Sequence, residues 1–170
     1  VARGTPFTKF GEMRMVAEYL RDNYPDDVVF MRLRLGTLEP DGGGPDLTEE
    51  ERKMLGVFRR WADAVVVTPR EVVLVEVSIR SDTGDPSKLV IYGRLARHTP
   101  ELAEYLSRPL VLELVVAVED PVVTQLAREL GIRTRVYRPP WLPEYLAQLH
   151  RRETRPAQVR GLTVGEATEE

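Results

Sequence analysis

Two acidic residues stand inside runs that otherwise read as core. Asp63 interrupts ADAVVV (62–67) and Glu76 interrupts VVLVEVSI (72–79), with Thr-Pro-Arg-Glu between them. In an antiparallel hairpin, residues pair symmetrically about the turn. Pro69 cannot take the positive φ of a two-residue type I′ turn, so a four-residue loop over 68–71 is expected. That loop sets Asp63 directly opposite Glu76, with Cβ atoms ~5 Å apart on one face. Val65, Val67, Val72 and Leu74 share the face, so water is a weak remedy for the repulsion. Either one carboxyl is protonated, an Arg bridges the pair, or a divalent cation sits between them. Paired carboxylates on a hairpin are a compact way to hold Mg²⁺ together with its waters. The ordinary structural alternative is an Arg bridge, or strand-end acids that reach solvent.

Composition narrows the chemistry. A chain of 170 residues is long enough for one domain with a sizeable core. The formal net charge of −3 gives no global basic field of the kind that announces a nucleic-acid binder. There is no Cys, which excludes disulfides, zinc-thiolate sites and thiol nucleophiles. With His98 and His150 the only histidines, a His-based metal cluster or a Ser-His-Asp triad is a poor fit. Of the 24 basic side chains three are Lys (Lys9, Lys53, Lys88) and the rest Arg. No run approaches the ~18 apolar residues of a membrane span. VARGTPF lacks the apolar stretch of a signal peptide, so a cytoplasmic or virion location is expected and no membrane partner.

The elements that must position the acids follow from periodicity and turn residues. Met13, Val16, Ala17, Leu20 and Tyr24 recur at helical spacing over 8–24, with Thr8 as N-cap. VVFMRLRL (28–35) alternates as a strand, and GTLEPDGGGPD (36–46) is a loop without the GK[ST] of a phosphate loop. Thr48 and Glu51 form a capping box for a helix to about Arg60. The hairpin follows. Asp85-Pro86 reads as an N-cap with Pro at the first helical position, opening a helix to about His98. LVLELVVAV (110–118) reads as a central strand buried on both faces. Asp120-Pro121 opens another helix that Gly131 closes, IRTRVY (132–137) is a more exposed strand, and 141–151 is a last helix. The expected fold is α/β: a mixed central sheet with an antiparallel hairpin and parallel strands, and helices on both faces. One domain over 1–152 and a mobile tail over 153–170 are expected.

This order, with an Asp in one hairpin strand and a Glu in the next, resembles the PD-(D/E)xK nuclease superfamily. It looks most like the small RecB-like nucleases of phage genomes, over roughly residues 8–150. The resemblance implies a restriction-endonuclease-like core in which Asp63, Glu76 and the Val77 carbonyl hold Mg²⁺ or Mn²⁺. It also implies DNA as the partner. The family's Lys, two residues after the Glu, orients the attacking water and stabilises phosphorane charge. Here that position is Ser78, which carries no charge. RecB-like members often carry a Gln-xxx-Tyr pair on the next helix; here the pair is Lys88 and Tyr92. Lys88, at the Gln position, is either a substitute for the missing ammonium, swung into the site, or a solvated helix residue, and Tyr92 reads as core.

Other residues carry weaker signals. Glu12 reads as an ordinary exposed Glu, although family members sometimes place a metal-side acid there. Glu113 reads as edge-directed or Arg-paired. Arg80 lies on the face of Glu76 and Ser78, suited to a phosphate or to bridging the acids. Two further expectations compete with a working nuclease. One is a non-catalytic phage virion structural protein, at the head–tail junction or tail, whose partners are virion proteins or itself. The other is a DNA-binding or regulatory module without chemistry.

Overall fold

A computed structural model describes residues 6–36 and 60–154. The Gly/Pro-rich loop beyond Gly36, the helix expected from Thr48, and the tail beyond Thr154 lie outside the described residues. The chain divides into two compact units, 1–139 and 140–170. The first contains α1 (Pro6–Asn23), β1 (Val28–Met31), β2 (Arg34–Leu35), β3 (Arg60–Trp61), β4 (Ala64–Val67), β5 (Val72–Arg80), α2 (Gly84–Ala96), a short 3-10 turn (Pro100–Leu102), β6 (Leu110–Val118), α3 (Pro121–Glu129) and β7 (Arg133–Val136). The second contains α4 (Leu142–Glu153), where Trp141 meets Tyr145 edge-on at 5.6 Å.

The fold is α/β with a mixed five-stranded sheet in the order β1-β4-β5-β6-β7. β1, β4 and β5 are antiparallel neighbours, while β5, β6 and β7 run parallel. The hairpin register is the expected one as far as it runs: Ala64 pairs with Val75 and Val67 with Val72, and Asp63 and Glu76 lie just past the last pair. Thr68 closes the turn, donating its N–H to the Glu71 carbonyl and accepting from the N–H groups of Arg70 and Glu71. β5 is a nearly continuous apolar run, with Val72, Val73, Leu74, Val75, Val77 and Ile79, and it is buried on both faces because a helix covers each. Val72 and Leu74 pack with Leu89, Tyr92 and Ala96 of α2 and with Val123 and Ala127 of α3. The opposite face, which carries Val75 and Glu113, is covered by α1 through Tyr19.

Several local expectations are corrected. The strand expected over 28–35 is broken at Arg32, which takes φ 50°. Its partner is broken too, at Ala62 and Asp63, so that Arg60 and Trp61 pair with Leu35 and Arg34 in a separate two-stranded ladder. Arg60 is therefore strand rather than the end of a helix. α1 starts at Pro6, which puts Thr8 inside its first turn instead of at the cap. It buries Met15, Val16, Tyr19 and Leu20 and leaves Met13 and Ala17 exposed. The helical period was right, but its inward face is rotated by Tyr19, which follows Glu113 rather than the apolar pattern. α2 starts at Gly84, one residue before the expected cap. At α3 the expectation holds: Asp120 accepts from the N–H groups of Val122 and Val123, and Gly131 ends the helix at φ 69°.

Candidate functional site

The site exists because β4 stops early. β4 pairs with β5 only as far as Ala64 and Val75, yet β5 runs on to Arg80, held on its other edge by β6. The break at Arg32 and Asp63 causes this. Backbone bonds from Arg32 N–H to the Asp63 carbonyl and from Ala62 N–H to the Leu33 carbonyl, both 2.9 Å, carry the β1–β2 strand past the kink. β3 is thereby led away from β5. The abandoned edge of β5 still needs acceptors for its N–H groups. Carboxylates supply them: Asp63 Oδ2 accepts from Val77 N–H at 2.9 Å, and Glu12 of α1 accepts from Ile79 N–H. Within a strand the N–H and C=O of one residue project to the same edge. The Val77 carbonyl therefore faces the gap that β4 leaves.

That gap is a cleft of about 250 Å³ at the carboxyl end of β5. Glu12, Asp63, Glu76 and Asp85 line it, with Ser78, Lys88, Arg32 and Trp61. Glu76 is 3% exposed. Its Oε1 accepts from the Lys88 ammonium, while Oε2 has no hydrogen-bond partner among the described residues. Lys88 also lies 5.3 Å from the centre of the buried Tyr92 ring, a cation–π contact one helical turn away. Lys88 and Tyr92 thus share the helix face expected of them.

Four carboxyl groups around one ammonium strain the electrostatics. Burial raises Glu76 to about 8, with Asp63 adding to the rise and Lys88 opposing it. Burial, then Asp63 and Asp85, raise Glu12 to about 7. Asp63 is raised by burial against the opposing Val77 N–H. Asp85 is also raised by burial, against the Asp82 N–H and a hydrogen bond from Ser78. For Lys88, burial disfavours the ammonium, but Glu76 and Asp63 outweigh it and the pKa rises. A charge deficit of this sort is met by protons or by a cation.

The residues present suit a small divalent cation. Their donors are all oxygens, and the orphaned, buried Glu76 Oε2 is an acceptor awaiting a partner. Mg²⁺ commonly takes one or two carboxylates and fills its shell with water. No three acidic or histidine side chains among the described residues are clustered closely enough to hold a metal on their own. The oxygens of the expected metal site, on Asp63, Glu76 and the Val77 carbonyl, all border the cleft.

The structure brings Asp63, Glu76, Val77 and Lys88 together. Ser78 is buried beside them and hydrogen-bonded to Asp85. Arg80 is exposed at the end of β5. Glu12 is not the exposed residue expected, since α1 delivers it to the free β5 edge. Asp85 was expected as a cap; it lies inside the first turn of α2, where its Oδ2 accepts from the Asp82 N–H at 3.1 Å and it borders the cleft, while Asp82 accepts from Gly84 N–H at 2.6 Å. Arg32 and Trp61 had no sequence signal beyond their nearness to Asp63.

Glu113 lies apart from this cleft and is fully buried at 0% exposure. It is Arg-paired, as one of the two expectations had it, with Arg133 at 3.3 Å and Arg135 at 3.7 Å. Tyr19 and Tyr24 donate to its Oε1 at 2.7 and 3.0 Å. Both tyrosine pKa values are raised, by burial first and then by Glu113. This satisfied network fixes α1 on the sheet, and with it the position of Glu12.

No protein-family model, curated protein or solved structure matches the chain. Among the described residues no helix is long and apolar enough to cross a membrane.

Proposed function

We propose that the protein is a divalent-metal-dependent DNA phosphodiesterase of PD-(D/E)xK type, with Lys88 in place of the motif lysine that Ser78 lacks. The observation that carries this reading is the Lys88 ammonium on Glu76, beside Asp63, in a cleft with an excess of acids. Asp63, Glu76 and the Val77 carbonyl would hold Mg²⁺ or Mn²⁺, which when bound supplies Lewis-acid polarisation of a phosphoryl oxygen. The remaining work falls to the chain. Lys88 presents positive charge where negative charge grows on a phosphate under attack. Tyr92 and Glu76 keep the ammonium from swinging out to solvent. Glu12, held on the Ile79 N–H, adds a further carboxyl to the cleft wall beside Asp63 and Glu76. The closed side of the cleft, formed by β5, excludes bulk water from Glu76 and strengthens each of these interactions.

A calorimetric titration with Mg²⁺ and Mn²⁺ tests the reading. Wild type should bind either ion, and Glu76→Gln should not; equal heats from both proteins would contradict it.

A second reading has its own observation. The Lys88–Glu76 ion pair occupies one of the oxygens a metal would use, which suits a nuclease fold retired into a phage virion component. Fixed stoichiometry in purified particles, with no metal binding, would favour that reading.

A further inference from the structure

We infer that Trp61, with Arg32 and Arg34, is a stacking platform for an unpaired nucleotide base, so that the substrate class is single-stranded DNA. This rests on the phosphodiesterase reading above and assigns its substrate form. Trp61 lines the same cleft as Asp63 and Glu76, yet is 45% exposed. A large indole left half open at the mouth of an acid-lined cleft is within reach of a bound strand. The kink fixes its place. Arg34 is its direct cross-strand partner, with the guanidinium 4.9 Å from the ring centre. Arg32 sits 5.8 Å from the same centre, near the outer limit of about 6 Å for a cation–π contact.

The arrangement separates two tasks. A base stacked on the indole would displace the looser Arg32 guanidinium and leave Arg34 in place. Arg32 would then pair with the adjoining phosphate. Because the Arg32 N–H is bonded to the Asp63 carbonyl, that phosphate would stand next to the acids. Arg32 holds φ 50°, a costly conformation for a residue with a Cβ, and it points this side chain at the cleft. Exposed Met13 and Met31 flank the platform, and Met13 Sδ lies 3.7 Å from Arg32. Such soft apolar neighbours accept any base edge. Inside a duplex both faces of each base are stacked and none is presented to an indole, so the platform selects unpaired strands over duplex interiors. Aromatic stacking tolerates all bases, and little sequence preference is expected.

The test uses the full chain with Trp141→Phe, which leaves Trp61 as the sole tryptophan, in EDTA so that nothing is cut. Oligothymidylate of about 12 nucleotides should quench Trp61 fluorescence to saturation, and the same strand in a duplex should not. Trp61→Ala should weaken single-strand binding, read by fluorescence anisotropy of labelled oligonucleotide, roughly ten- to hundred-fold. Trp61→Phe should retain most of it. Equal quenching by duplex, or unchanged anisotropy titrations for Trp61→Ala, would overturn the platform. A protein that cuts duplex DNA without single-strand quenching defeats this inference and leaves the phosphodiesterase reading standing. Quenching by single strands with no cleavage in Mg²⁺ or Mn²⁺ supports the platform and defeats the other.

Discussion

The Lys88 ammonium, carried on α2, donates to Glu76 Oε1 on β5, in the cleft that Asp63 also lines. α2 follows β5 after only a few residues, and the helix turn that carries Lys88 also carries Tyr92 beneath it. The charge that Ser78 does not provide is therefore delivered to the same carboxylates from another element.

Lys88→Ala should lower kcat by roughly 10²–10³ with little change in KM, because the ammonium acts on charge that develops only in the transition state. Ser78→Lys in that background should restore part of the loss, since position 78 shares the face of Glu76. Steady-state kinetics on both variants checks this; full activity in Lys88→Ala would remove Lys88 from the chemistry.

Acid should stabilise the metal-free protein across neutral pH. Glu76 and Glu12 titrate near 8 and 7 in the folded chain but near 4.5 when unfolded. Between those values the folded state binds more protons, so stability falls as pH rises from about 5 to about 8. Thermal melts in EDTA should show a Tm that declines over this window, and Mg²⁺ should recover it at pH 8. In Glu76→Gln the decline should be shallower. A Tm that rises with pH would contradict the burial of these acids.

Tyr19→Phe removes one charged hydrogen bond from Glu113 and should cost about 1.5–3 kcal/mol in urea unfolding. Tyr24 remains on the same oxygen. Glu113→Gln removes the charge that Tyr19 and Tyr24 bond to, while Arg133 keeps Glu71 and Arg135 keeps water, and should cost a similar amount, about 1.5–3 kcal/mol. If both variants unfold like wild type, the network does not anchor α1.

The hairpin was legible in the sequence because two constraints agreed: Pro69 limited the loop, and symmetric pairing about that loop set the register. The reach of Lys88 was legible from the short link between Glu76 and the next helix. The kink at Arg32 was not, since no Gly or Pro marks it and the strain falls on an Arg. With the kink hidden, the early end of β4 and the open edge of β5 were hidden too. Glu12 and Asp85 were lost for related reasons. Glu12 answers an unpaired Ile79 N–H that only the missing strand creates, and Asp85 reads as a cap although the helix begins one residue earlier, at Gly84.

Cleavage of DNA is the most direct measurement of the central claim. Supercoiled plasmid, linear duplex and single-stranded circles should be incubated with wild type and with Glu76→Gln, in Mg²⁺, Mn²⁺ or EDTA. The account predicts metal-dependent cutting by wild type, strongest on the single-stranded form, none in EDTA, and a loss of at least about 10²-fold in Glu76→Gln. Intact DNA of every form with wild type in both metals, or equal cutting by Glu76→Gln, would contradict it.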